Sequence, residues 1–355
     1  MRYLKILIAV VFLASCEEYF RPDTNIDGPV FVFEGLITDQ PGPYKVKIFK
    51  SFGYDGKTEA ITDARLRIEC SDGQTALLKH ISMGTYQTDS ASFLCEVGKR
   101  YKLVAIFADG QHFESTQEEL LPCPDIEEVN GIYYETKKNA TNNGEYYDDI
   151  DFGICATNTT AAAGFTPYYR YECKIIIQTR QYYPGTFPEM RYVFHPITSK
   201  GNLFIADANN YADCKIAGNQ LYKTPNRILK QGVDSLVPGM SEYDVYDIGI
   251  FVRASQYSMD EKQYKFWKAV KDQQENTNYF FGQIENQPVG NISSNTGEKA
   301  LGYFCVSAVK QNFGALGLNF STKEVTKYEA DYFPDTDTTA YYKDQPEYTI
   351  LFKNK

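Results

Sequence analysis

The chain has 355 residues, with 46 acidic against 36 basic side chains and a formal charge of −10. That balance argues against nucleic acid and anionic lipid surfaces as electrostatic partners, since both require a cationic face. The length allows two domains of about 100 to 200 residues each and a sizeable core without covalent staples.

The first sixteen residues carry the strongest signal. Arg2 and Lys5 precede the apolar run 6–14, and Ala14, Ser15 and Cys16 follow. The run is about nine residues long, whereas a helix that crosses a membrane needs roughly 20, so residues 1–15 read as an export signal. Small Ala14 and Ser15 admit a peptidase, and the Cys16 thiol beside them is the group to be acylated. A single acyl chain binds a membrane only marginally, so a firm anchor at Cys16 implies several. An ordinary secretory signal with an incidental cysteine is the alternative. Residues 16–28, with Glu17 and Glu18 at their start, read as a short acidic tether.

Residues 29–124 have the cadence of an immunoglobulin-like β-sandwich, about seven short strands in some 90 residues. The run 30–37 is nearly continuous in apolar residues, and Pro41, Gly42 and Pro43 then turn the chain. Tyr44, Val46 and Ile48 alternate with Lys45 and Lys47, which puts the first three on a buried face. Ala64, Leu66, Ile68 and Cys70 repeat the pattern against Arg65, Arg67 and Glu69. Asp72-Gly73 and Asp109-Gly110 are hairpin signals, because glycine accepts the positive φ of such turns. Pro122 and Pro124 end the rhythm, and the polar stretch that follows marks residues 125–146 as a linker or loop.

Residues 147–355 read as a second β-rich domain with one packed helix. Strand character recurs over 150–156, 171–179 and 245–254, while five prolines between residues 184 and 238 argue for long loops. Ser258 and Glu261 form a capping box for a helix over about 259–275, with Tyr264, Trp267 and Val270 in a stripe extended by Phe266 and Ala269. Strands resume over 301–309, 314–320 and 348–352. The fold class is therefore mainly β.

Catalytic patterns are lacking. The chain holds no G-x-S-x-G elbow, no H-E-x-x-H and no glycine-rich phosphate loop. His80, His112 and His195 are isolated, and Asp148, Asp149 and Asp151 read as a solvated run, with a calcium loop or paired glycosidase carboxylates as alternatives. Seven cysteines besides Cys16 (Cys70, Cys95, Cys123, Cys155, Cys173, Cys214 and Cys305) make an odd set with no C-x-x-C spacing, so redox and zinc-ribbon readings have no support. No catalytic residue, metal or cofactor is assigned. Tyrosine is abundant and locally clustered, as in Tyr168, Tyr169 and Tyr171 and in Tyr182 and Tyr183. Such clusters suit a protein interface, sugar stacking or simply a β-sheet.

The stretch Val32-Phe33-Glu34-Gly35-Leu36-Ile37-Thr38-Asp39, with Gly42-Pro43-Tyr44, resembles the opening of the uncharacterised DUF4249 family of Bacteroidota lipoproteins. Ala64 to Ile68, Gly84-Thr85-Tyr86, Tyr264 to Trp267, Gly290-Asn291-Ile292 and Gly302-Tyr303-Phe304 continue the likeness over residues 16–320. The resemblance implies an outer-membrane lipoprotein encoded beside TonB-dependent, SusC-like β-barrels, without an established activity. In such lipoproteins acidic residues after the lipidated cysteine resemble a signal for display on the cell exterior, which Glu17 and Glu18 match. The expected function is a non-enzymatic accessory subunit of an integral outer-membrane β-barrel, in nutrient uptake or outer-membrane biogenesis, held by lipid on Cys16. A glycan- or small-solute-binding lipoprotein is the alternative, and a hydrolase with distant carboxylates a third reading.

Overall fold

The computed structural model describes residues 30–52, 57–89, 93–140, 146–158, 165–183, 189–197, 203–207, 247–276, 288–319, 324–328, 333–334 and 340–343. The fold is mainly β, with a single helix among the described residues. Cys16, the export signal and the tether lie outside these residues.

Eleven strands make the first sheet. They are β1 (Val30–Thr38), β2 (Lys45–Phe52), β3 (Lys57–Ala60), β4 (Arg65–Cys70), β5 (Thr75–Ser82), β6 (Thr85–Thr88), β7 (Arg100–Ile106), β8 (His112–Ser115), β9 (Glu118–Glu119), β16 (Ile292–Ser294) and β17 (Ala300–Ser307). Their order is β16-β8-β7-β4-β5-β6-β2-β1-β17, with β3 added on β2 and β9 on β7. The period of two holds where it was expected: Val46 and Ile48 are buried between exposed Lys45 and Lys47, and Leu66, Ile68 and Cys70 point inward from β4. The Asp72-Gly73 turn joins β4 to β5, with Gly73 at φ 92° and its N–H donating to the Cys70 carbonyl at 3.0 Å.

The sheet folds over on itself. Strand β5 pairs with β4 through Thr75 to Leu78 and with β6 through Leu78 to Ser82, so one strand serves two halves. In a flat sheet β1 and β8, six steps apart in the order, would stand about 29 Å from each other. Instead the Phe31 ring lies 4.8 Å from that of Phe113 on β8, and the Phe33 ring 5.3 Å from it. Phe107 completes the aromatic cluster, 4.9 Å from Phe113.

Strand cadence within residues 29–124 points to a self-contained immunoglobulin-like sandwich. The hydrogen-bonded path differs: it is one continuous sheet, and β16 and β17 come from the other end of the chain. Strand β17 runs parallel to β1, from Phe31 opposite Ala300 to Thr38 opposite Ser307. A parallel pair needs a long crossover, and here that crossover is most of the molecule. Gly302 makes the pairing sterically feasible. Its φ is 92°, and a Cβ there would stand 1.9 Å from the Phe33 carbonyl oxygen.

Residues 125–146, expected as a linker, are instead largely strand. β10 (Ile126–Ala140) and β11 (Tyr146–Asn158) form a two-stranded sheet. The third sheet follows the order β19-β18-β15-β12-β13-β20, with β14 added on β12. Its members are β12 (Tyr168–Tyr183), β13 (Glu189–Ile197), β14 (Phe204–Asp207), β15 (Asp247–Met259), β18 (Val309–Asn319), β19 (Glu324–Tyr328) and β20 (Ala340–Lys343). Tyr169, Tyr171, Ile175, Ile250 and Val252 of this sheet share one continuous core with Phe31, Ile48, Leu66 and Phe113 of the first. The opposite face carries a second cluster of Ile176, Phe194, Phe251 and Ala315.

The seam is hydrogen bonded. Ser258 on β15 donates to the Leu121 carbonyl at 2.7 Å and accepts from the Ala308 N–H at 2.9 Å. Gln256 donates to the Pro124 carbonyl at 2.9 Å and accepts from the Tyr171 hydroxyl at 2.7 Å. Ser258 is therefore committed to the seam and does not cap the helix. The helix α1 (Glu261–Asn276) begins after Asp260, whose carboxylate accepts from the Gln263 N–H at 2.7 Å. Asp260 fills the N-cap role because β15 runs on to Met259, leaving it as the first residue free to bend. None of the described helices is long and apolar enough to cross a membrane.

Candidate functional site

Helix α1 lies on the outer face of the β1–β17 pair. Along β17 the even residues Phe304 and Val306 enter the shared core, while Tyr303 and Cys305 face the helix. There they meet Leu36 of β1 and Phe266, Trp267 and Val270 of α1 in a small separate cluster. The helix stripe at spacings of three and four is thus used as its periodicity predicts.

Beside this cluster is a cavity of about 500 Å³. Apolar Val32, Leu36, Phe266 and Val270 form part of its wall, together with the polar groups of Arg170, Glu172, Trp267, Tyr303 and Glu34. Arg170 sits on β12 directly opposite Tyr257 of β15, and its guanidinium lies 4.7 Å from that ring and 5.1 Å from the Trp267 ring. Stacking between two aromatic faces holds the planar group in one orientation. One terminal nitrogen pairs with Glu172 at 3.1 Å, and Glu172 also accepts from the Tyr257 hydroxyl at 3.0 Å.

Three donors here are left over. The Arg170 Nε–H, the Trp267 indole N–H and the Tyr303 hydroxyl are buried and find no hydrogen-bond partner among the described residues. Burial holds the Tyr303 phenol above its ordinary range, and the nearby Glu118 carboxylate adds to this. Burial likewise pushes the Cys305 thiol up to about 11, opposed by the Arg170 charge and the Trp267 N–H. Burial raises the Tyr257 phenol as well, with the Glu172 carboxylate adding to it. Such orphaned donors cost about 1–3 kcal/mol each when nothing accepts from them.

On the other side of Phe266 and Tyr303 a second cavity, of about 530 Å³, opens between α1 and residues 289–291. Its rim bears Lys262, Lys265 and Lys268, and its floor includes Asn291. Asn291 is fully engaged: it donates to Glu118 at 3.2 Å and to the Phe304 carbonyl at 3.0 Å, and accepts from the Phe304 N–H at 2.8 Å.

The residues singled out in the sequence are dispersed. Tyr169 and Tyr171 are buried in the shared core, and Tyr168 stacks on Tyr264 with ring centroids 4.6 Å apart. Tyr182 and Tyr183 belong to β12, and Asp148, Asp149 and Asp151 to β11, their side chains outside the described residues. Cys70, Cys95, Cys123, Cys173 and Cys305 are free thiols, and Cys214 lies outside the described residues. Among the described residues no group of three or more His, Cys, Asp or Glu side chains could hold a metal ion. Sequence reading missed Arg170. Its signal was a lone cation alternating with Tyr169 and Tyr171, two residues that a half-buried strand sends to the opposite face.

A further feature lies away from α1. Leu77 and Ile81 of β5, with Lys79 between them, and Met83 of the turn that follows are 71%, 50% and 82% exposed. Met83 has a φ of 42°, in the left-handed region where a long side chain is disfavoured and Asn or Gly would be cheaper.

A family model described as "Domain of unknown function (DUF4249)" matches residues 17–312. No curated protein matches the chain.

Proposed function

We propose, for a chain that belongs to the DUF4249 family, a non-enzymatic accessory role at the outer membrane. The protein is a lipoprotein of the Bacteroidota type, anchored through Cys16 and facing the cell exterior. It docks on an integral β-barrel of the TonB-dependent, SusC-like kind, or on another outer-membrane complex, in nutrient uptake or outer-membrane biogenesis. The observation that carries the reading is the exposure of three large apolar side chains, Leu77, Ile81 and Met83, within one strand and its turn. Exposed apolar side chains gathered on one segment favour an interaction surface, and a strained turn position given to an exposed methionine is a stability cost without a return inside the fold. An anchor at Cys16 confines the protein to the partner's membrane, so a modest interface yields a persistent complex.

Two experiments test this. Labelling with a clickable palmitate analogue should mark the wild-type protein and not Cys16→Ser, which should leave the membrane fraction. Affinity purification through a C-terminal tag, from native membranes in mild detergent, should recover a β-barrel. Leu77→Ser with Met83→Asn should recover much less while keeping the fold. Recovery of no barrel by the wild-type protein sinks the docking reading.

A further inference from the structure

The second cavity, between α1 and residues 289–291, has a cationic mouth on an acidic protein. Lys262, Lys265 and Lys268 follow at spacing three along one side of the helix and line a space of about 530 Å³. All three are exposed, so their ammonium groups are open to solvent at the rim. Lys265 pairs with Glu261 at 2.6 Å, whereas Lys262 and Lys268 have no ion pair among the described residues. Asp272 is the one carboxylate of the lining. Three ammonium groups set against Glu261 and Asp272 leave the mouth one net positive charge, in a chain whose formal charge is −10.

The floor differs from the rim. Phe266, Ala269, Val289 and the Tyr303 ring make its apolar part, and Val289 is 81% exposed. Its polar side chains are spent inside the fold, since the Thr116 hydroxyl donates to Glu118 and the Asn291 amide is divided between Glu118 and the Phe304 backbone. The Glu118 carboxylate, 5% exposed, therefore lies behind these two residues and outside the lining. Its charge disfavours an anionic group at the bottom of the cavity, while the lysines favour one at the mouth. An organic cation would meet the reverse and be repelled at the entrance.

We infer that this cavity binds a small amphiphilic carboxylate, its single negative charge held at the rim by Lys262 and Lys268 and its apolar body laid over Phe266, Ala269 and Val289. The volume falls within the range of small-molecule sites. The inference does not rest on the docking reading, whose residues lie on β5 and its turn, so either can fail while the other stands.

The Ala269 methyl belongs to the lining and reports from inside the site when the alanine methyls carry carbon-13, with its signal assigned through Ala269→Ser. The full-length protein without its leader is titrated with octanoate, octanamide, octylammonium and acetate. Octanoate should shift the Ala269 signal saturably. Octanamide, which lacks the charge, octylammonium, which reverses it, and acetate, which lacks the apolar body, should each bind at least about ten-fold more weakly. Lys262→Gln combined with Lys268→Gln should weaken octanoate binding about ten-fold with unchanged circular dichroism, and Lys79→Gln on β5 should leave it unaltered. Added salt should weaken it too, because the rim charges are exposed. Absence of a saturable shift with octanoate overturns the inference. So does equal binding of octanamide, octylammonium or acetate, or undiminished binding by the double lysine variant.

Discussion

The two faces of the β1–β17 pair differ more than any two distant parts of the molecule. Toward the shared core the strands present Phe31, Phe33, Phe304 and Val306, all at most 3% exposed and surrounded by hydrocarbon. Toward α1 the same backbones present Glu34, Tyr303 and Cys305, beside a cavity with orphaned donors. A strand alternates its sides by geometry alone, so neighbours in sequence can serve opposite purposes. The inner face spends its residues on burial, and the outer face retains polarity that burial alone would remove.

The largest test of that contrast is Phe304→Ala. Truncating a fully buried ring should cost about 3–5 kcal/mol, read as a lowered midpoint in urea unfolding at constant m-value. A loss below about 1 kcal/mol would mean that the inner face is not closely packed. Next is Gly302→Ala, where the added methyl would collide with the Phe33 carbonyl and strain a positive φ. A cost of roughly 3 kcal/mol is expected, with weakened hydrogen-exchange protection of β1.

At the seam, Ser258→Ala should lose about 1–3 kcal/mol, because it strands the Leu121 carbonyl and the Ala308 N–H. Asp260→Ala should cost about 1 kcal/mol and fray the first turn of α1, seen in the amide exchange of residues 261–264. The reverse pattern would return the cap to Ser258. The smallest effect belongs to Tyr303→Phe. Its hydroxyl has no partner among the described residues, so its removal should leave stability within about 1 kcal/mol of wild type or raise it. Phe304→Ala and Tyr303→Phe are adjacent substitutions. A large loss from both would erase the distinction between the faces.

Much of the fold was legible beforehand for local reasons. Alternation over 44–48 and 64–70, the Asp-Gly turns and the stripe of α1 each depend on residues within one strand, turn or helix. The helix cap was misread because Ser258-x-x-Glu261 overlaps Asp260-x-x-Gln263. Only the length of β15 decides which is used. The polar composition of 125–146 concealed a long hairpin, since strand pairing can be met by backbone groups whatever the side chains. Arg170 was passed over because a cation between tyrosines on a strand has no meaning until Tyr257, Trp267 and Glu172 are brought around it.

By itself the sequence determined the β class, the buried side of the early strands, helix α1 and membership of the family, because all of these are written in short-range pattern or direct likeness. Tertiary structure alone decided that β17 pairs in parallel with β1, that the first sheet folds over through β5, and that one core serves both sheets. It also decided that Arg170 of β12, Trp267 of α1 and Tyr303 of β17 come to line one cavity. The physical reason is that residues 170, 267 and 303 meet only after a crossover of some 260 residues has folded, and no periodicity along the chain encodes that closure.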